Sequence, residues 1–168
     1  DEAIREIQGK APAPEESRRE PEIKVPHPAF LADQYVPDVH QRLSLYRRFS
    51  AAENEAALDV LEQELRDRFG PLPPEAQNLL WLIRIKQLLK QLGVDALTVG
   101  PEKASLVPGP SSQLDPIRAI ALVSAYPKAY QLTPDSKLVV KIPTASMRDL
   151  FFALETLLKQ LASAAPRA

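Results

Sequence analysis

The stretch ELRDRFGPLPPEAQNLL, residues 64 to 80, forces a reversal of direction on whatever flanks it. Gly70 can take the left-handed conformation that closes a helix, and Pro71 cannot continue one. Pro73 and Pro74 suit the first positions of a new helix, where a missing N–H costs nothing, and Glu75 adds favourable charge there. Before the corner, Leu58, Leu61, Leu65 and Phe69 recur at i, i+3, i+7 and i+11, the spacing of one buried helical stripe. After it, Leu79, Leu80, Leu82, Ile83, Ile85, Leu88, Leu89 and Leu92 cover more than one face. They predict a central, largely buried helix that takes in Trp81 and stops at Gly93.

A further helix is expected upstream of the corner. Asp38 stands at an N-cap position with Gln41 three residues on, a possible capping box, and Val39, Leu43, Tyr46 and Phe49 then repeat at helical spacing. Ser50 and Glu53 repeat the cap pattern and are expected to start the helix that ends at the corner. Downstream the period shifts. ALTVG (96–100) and ASLVP (104–108) read as strands joined at Gly100-Pro101, and Asp115-Pro116 opens a short helix. AYQLT and KLVVKI form a hairpin around Pro134-Asp135, and an amphipathic helix from Met147 to about Leu161 ends the fold. The expected class is α+β: three helices followed by a ββαββα unit whose small sheet packs against helices.

The N-terminal residues read differently. Asp1 to Ile7 suit the end of a helix stopped by Gly9, and APAPEESRREPE is proline-rich, charged and poor in anything to bury. Residues 1–22 are therefore assigned as a linker and residues 23–165 as the domain. EIKV (22–25) suits a short strand that Pro26 and Pro28 would keep at a sheet edge. The chain does not open with Met, which suggests a piece of a longer or processed protein.

Composition removes several classes of function. With no cysteine, disulfides, thiolate zinc sites and cysteine nucleophiles are excluded. Only five glycines occur in the 168 residues, and no phosphate-cradling or nucleophile-elbow motif is found. The two histidines, His27 and His40, have no metal-spaced partner. No apolar run approaches the roughly 20 residues a membrane span needs, and a cytoplasmic location is expected. The net charge is -1, with no overall basic excess of the kind nucleic-acid modules show. A local basic cluster at Arg42, Arg47 and Arg48 leaves one nucleic-acid reading open. Neither a catalytic residue, a cofactor nor a metal is expected in this chain.

The second helix carries a different signal. Residues 50–69 hold six acids against two bases. Val60, Glu64, Asp67 and Arg68 fall at i, i+4, i+7 and i+8, one stripe turned away from the leucine face or flanking it. Such a stripe is ordinarily a solvated face, yet a valine beside two carboxylates and a guanidinium is also a workable contact for a basic partner.

The segments Val36-Pro37-Asp38, Arg42-Leu43, Tyr46-Arg47-Arg48 and Glu64 through Leu80 resemble the C-terminal (TRCF) domain of bacterial transcription-repair coupling factors. The resemblance covers roughly residues 22–165. DEAIREIQGK resembles the end of the translocase lobe that precedes that domain. The resemblance implies a parent protein that is an ATP-driven DNA translocase, displaces stalled RNA polymerase and recruits UvrA. The ATP-binding and polymerase-binding modules would lie outside this chain. It further implies a non-catalytic domain that docks on the UvrA-binding module of the same polypeptide and restrains the translocase. The family's docking contact uses a Glu, an Asp three residues on and the adjacent Arg, which match Glu64, Asp67 and Arg68; Val60 is added from the helical stripe alone. No membrane and no small-molecule substrate are implied.

Overall fold

The computed structural model describes residues 20–162; the expected helix end at Asp1–Ile7 lies outside them. Chain order is β1 (Glu22–Lys24), α1 (Val39–Ala51), α2 (Glu55–Phe69), α3 (Pro74–Leu92), β2 (Val94–Val99), β3 (Lys103–Pro108), α4 (Pro116–Ala125), β4 (Tyr130–Leu132), β5 (Leu138–Lys141) and α5 (Met147–Leu161). This is the expected α+β order, with β1 as the edge strand at EIKV, including Glu22. The sheet runs β1-β2-β3-β5-β4. β1 pairs parallel with β2, and the other pairs are antiparallel.

The corner forms as its residues require. Gly70 closes α2 with its N–H on the Arg66 carbonyl, and Pro73 and Pro74 stand at N-cap and N1 of α3. One detail differs. Gly70 adopts φ 92°, ψ -168°, a glycine-only region rather than the expected left-handed helical one. There its carbonyl accepts the Tyr35 hydroxyl at 2.8 Å, and that hydroxyl also reaches the Leu65 carbonyl at 3.3 Å.

Asp38 caps α1 as expected, but one capping box and one helix start are corrected. The capping box at Asp38 does not close: Asp38 Oδ1 accepts the N–H of His40 at 3.3 Å, and Gln41 makes no return bond. Ser50 and Glu53 do not start α2. α1 continues through Ser50 to Ala51, and Asn54 caps α2 by accepting the Ala57 N–H at 2.9 Å. The expected stripe of α1 is also rotated. Phe49 faces the interior as expected, but Val39 and Leu43 are about half exposed (48% and 49%) and Leu45, outside the expected stripe, is buried instead. Adjacent rows on a helix are only about 100° apart, so a one-residue shift in the true stripe still leaves a plausible pattern.

Two apolar clusters make up the core, and α3 belongs to both. Ala76, Leu79 and Leu80 join Leu45 and Phe49 of α1, Leu58, Leu61 and Leu65 of α2, and Leu31, Val36 and Leu72. One turn further on, Ile85, Leu88 and Leu89 join one face of the sheet, including Leu97, Leu106 and Val140, together with the inner face of α5. This is why α3 is apolar around most of its circumference. Gly93 then ends it in the left-handed conformation, φ 73°, ψ 32°.

Candidate docking surface

The inward turn of Leu58, Leu61 and Leu65 fixes the outward face of α2 by helical geometry. Val60 is 64% exposed, and Asp67 and Arg68 are also exposed. Glu64 stands at the edge of the same face, its side chain 27% exposed. The structure thus brings all four residues of the expected stripe together at the surface.

The face is more organised than a row of carboxylates. Arg48, from α1, donates from both terminal nitrogens to the two oxygens of Glu64, at 2.9 and 2.6 Å. Arg68 donates to the same carboxylate at 2.9 Å. The Arg68 guanidinium also lies over the Phe69 ring, 5.0 Å from its centroid, and Phe69 in turn packs against Tyr35. Arg68 is therefore anchored through the corner that Gly70 and Tyr35 fix. Asp67 accepts only from Gln63, at 3.0 Å, leaving it the more available carboxylate. The Glu64–Arg48–Arg68 group carries one net positive charge, with Asp67 beside it.

Arg48 was invisible as a member of this site in the sequence. It reads there as part of a basic cluster with Arg42 and Arg47, on a face apart from the acidic stripe. In the fold Arg42 turns back to the carbonyls of Val36 and Pro37, at 2.7 and 3.2 Å, and Arg48 crosses to α2. Of the three, only Arg47 has no such partner among the described residues. The acidic and basic faces meet at one pair. On the opposite flank of α2, Arg84 of α3 takes up Asp59 at 3.1 Å and Glu62 at 3.4 Å, and Arg66 also holds Glu62.

The guanidinium of Arg48, with Arg68 behind it, lowers the Glu64 carboxyl to about 2. A depressed carboxyl stabilises the fold above its unfolded value near 4.5, and that contribution is lost as pH falls toward 2. Carboxyl-detected NMR titration is expected to find Glu64 still ionised at pH 3. Arg48→Ala should raise its midpoint and remove the order of about 1 kcal/mol that a partly solvated pair contributes. An unmoved midpoint would mean that Arg48 does not hold Glu64 in solution.

Among the described residues no cluster of side chains could hold a metal ion, and no helix is long and apolar enough to cross a membrane.

Residues 25–119 match the model of the TRCF domain family. The chain belongs to that family. The transcription-repair-coupling factor of Myxococcus xanthus is 36% identical over 166 residues, 98% of this chain and 14% of that protein. Those of Haemophilus influenzae and Escherichia coli are 36% and 33% identical over 74% and 77% of the chain, and 11% of each protein is covered. The chain thus spans about a seventh or less of the relatives' length. A crystal structure of the C-terminal domain of a transcription-repair coupling factor shares the fold, with TM-score 0.71 at 20% identity, covering 85% of this chain and 92% of that one. The TRCF domain here has Glu64, Asp67, Arg68 and the Gly70 corner inside the matched region.

Proposed function

We propose that this domain is the regulatory C-terminal element of a transcription-repair coupling factor, and that Val60, Glu64, Asp67 and Arg68 form a reversible latch on the UvrA-binding module of the same polypeptide. The observation that carries the reading is that all four lie on one outward face of α2, held in place by Arg48 and the Tyr35–Phe69 corner. Asp67 receives an arginine of the partner module, while Glu64 exchanges Arg48 or Arg68 for a second one. Val60 supplies the apolar contact. Each such rim contact contributes about 0.5–3 kcal/mol, according to how far it is desolvated.

A contact this modest suffices because it is tethered. Linkage in one chain gives an effective concentration on the order of millimolar, so even a weak interface stays closed. It also has to open, and polymerase engagement need shift the balance by only a few kcal/mol. In this reading the domain is not an enzyme and uses no cofactor. ATP hydrolysis, duplex DNA and RNA polymerase belong to other modules of the parent protein.

Reversing charge at Glu64, Asp67 and Arg68 together in the full-length factor is expected to raise both UvrA binding and basal ATPase activity. The two readouts matter jointly, since the latch covers one surface and restrains a second activity. UvrA affinity and ATPase rate both at the parental level would rule the latch out. A nucleic-acid role for Arg42, Arg47 and Arg48 is the weaker reading, because two of the three are already engaged within the domain.

A further inference from the structure

One arginine stands apart from the rest. Every other arginine in residues 20–162 reaches a carboxylate, a carbonyl or an aromatic ring of the domain. Arg47 makes no hydrogen bond, ion pair or ring contact with the described residues. The nearby acids are already engaged, Glu64 by Arg48 and Arg68, and Glu62 by Arg66 and Arg84. A guanidinium is a planar fork that matches a carboxylate and loses little freedom on pairing, so a free one is a ready contact.

Its direction follows from helix geometry. Leu45 and Phe49 are the buried positions of α1, and Arg47 lies two residues from each. At about 100° per residue, its side chain points about 160° away from both. Leu43 is also two residues from Leu45, one turn before Arg47, and is 49% exposed. The same offset holds on α2, where Val60 follows the buried Leu58 by two residues and Asp67 follows the buried Leu65 by two. The helices thus turn matched rows outward, Leu43 and Arg47 on α1, Val60 and Asp67 on α2.

A bridge joins the rows into one surface. Arg48, next to Arg47, crosses to Glu64, which stands between Val60 and Asp67 along α2. Each row offers one apolar side chain and one charge, and the charges are opposite. With the bridge included, the guanidiniums of Arg47, Arg48 and Arg68 outnumber the carboxylates of Glu64 and Asp67 by one. A uniformly basic partner would gain at Asp67 and lose at Arg47.

We propose that the latch face extends across α1, with Leu43 and Arg47 as contact residues, and that the module it meets presents a carboxylate to Arg47 as well as an arginine to Asp67. The extended face rests on the latch reading above and adds to it a second helix and a required charge pattern. Opposite charges on two helices admit the partner in one orientation, because turning it half round sets like charges against each other. Arg47 is therefore the residue that fixes the register of docking.

The test uses the full-length factor and two readouts, UvrA binding and basal ATPase rate. Arg47→Glu is expected to raise both severalfold, and Arg47→Lys, which keeps the charge without the fork, to raise them less. Arg47 touches no described partner, so its replacement leaves the fold intact. If joint charge reversal at Glu64, Asp67 and Arg68 raises both readouts while Arg47→Glu leaves both at the parental level, the latch stands and its extension over α1 is overturned. If neither variant responds, the latch fails and the extension with it. A fall in DNA-dependent ATPase in Arg47→Glu with UvrA binding unchanged would also overturn the proposal, assigning Arg47 to nucleic acid.

Discussion

Replacing Gly93 by alanine is expected to destabilise the domain by about 2–5 kcal/mol, the sum of about 1–2 for a left-handed residue with a Cβ and about 1–3 for overpacking. Both terms follow from the end of α3. Gly93 has φ 73°, and a Cβ there would fall 2.7 Å from the Ser111 carbonyl oxygen and 2.8 Å from the Ser112 Cα. Those are backbone atoms, and they cannot rotate away as a side chain could. The loop cannot withdraw cheaply either, because Gly109 donates to the Gly93 carbonyl at 2.8 Å and Gln113 to that of Leu92 at 2.8 Å. Urea unfolding followed by circular dichroism should show a lower midpoint with an unchanged slope. Gly70→Ala provides the contrast: its φ is also positive, but nothing lies within 4 Å of the added carbon, so it should lose only the strain of about 1–3 kcal/mol. Equal losses at the two positions would show that the 109–112 loop yields and that the close approach costs nothing.

A second large effect is expected from truncating the two cores separately. Leu58 lies in the cluster between α1, α2 and α3, and Leu154 in the cluster between α3, the sheet and α5; both are fully buried. Leu58→Ala and Leu154→Ala should each cost about 2–5 kcal/mol through lost transfer energy and the cavity left behind. The two clusters share α3, so neither can melt without stripping a face from the other's central helix. Each variant is therefore expected to unfold in a single transition, with Trp81 fluorescence and helical circular dichroism coincident. Separate midpoints in the Leu58 variant would show that the first three helices unfold as a unit of their own, contrary to this account of α3.

The corner, the element order and the α+β class could be read from the sequence because they rest on local chemistry. Pro73, Pro74 and Pro116 fix their own φ, Gly70 and Gly93 admit positive-φ conformations that other residues resist, and Asp115 supplies a cap within its own turn. The outward stripe of α2 was legible for a related reason: three leucines fix one face, and the opposite one follows. What could not be read depends on other elements. The stripe of α1 was only partly placed: Phe49 is buried as expected, but Val39 and Leu43 look as apolar as Leu45, and only the position of α2 decides which of these is covered. The start of α2 was misplaced because Ser50 and Asn54 are both good caps, and α1 outlasted the first of them. Arg48 was separated from Glu64 because they lie 16 residues apart on different helices, and a wheel drawn for one helix contains no partner from another.

The placement of β1 has a mechanical meaning. Its three residues join the sheet beside β2, more than seventy positions later in the chain, and run parallel to it. Tension drawn along the incoming polypeptide would load those hydrogen bonds together, as shear, rather than peel them off one after another. A domain attached in this way can bear a pull from whatever precedes it while its own interior stays at rest.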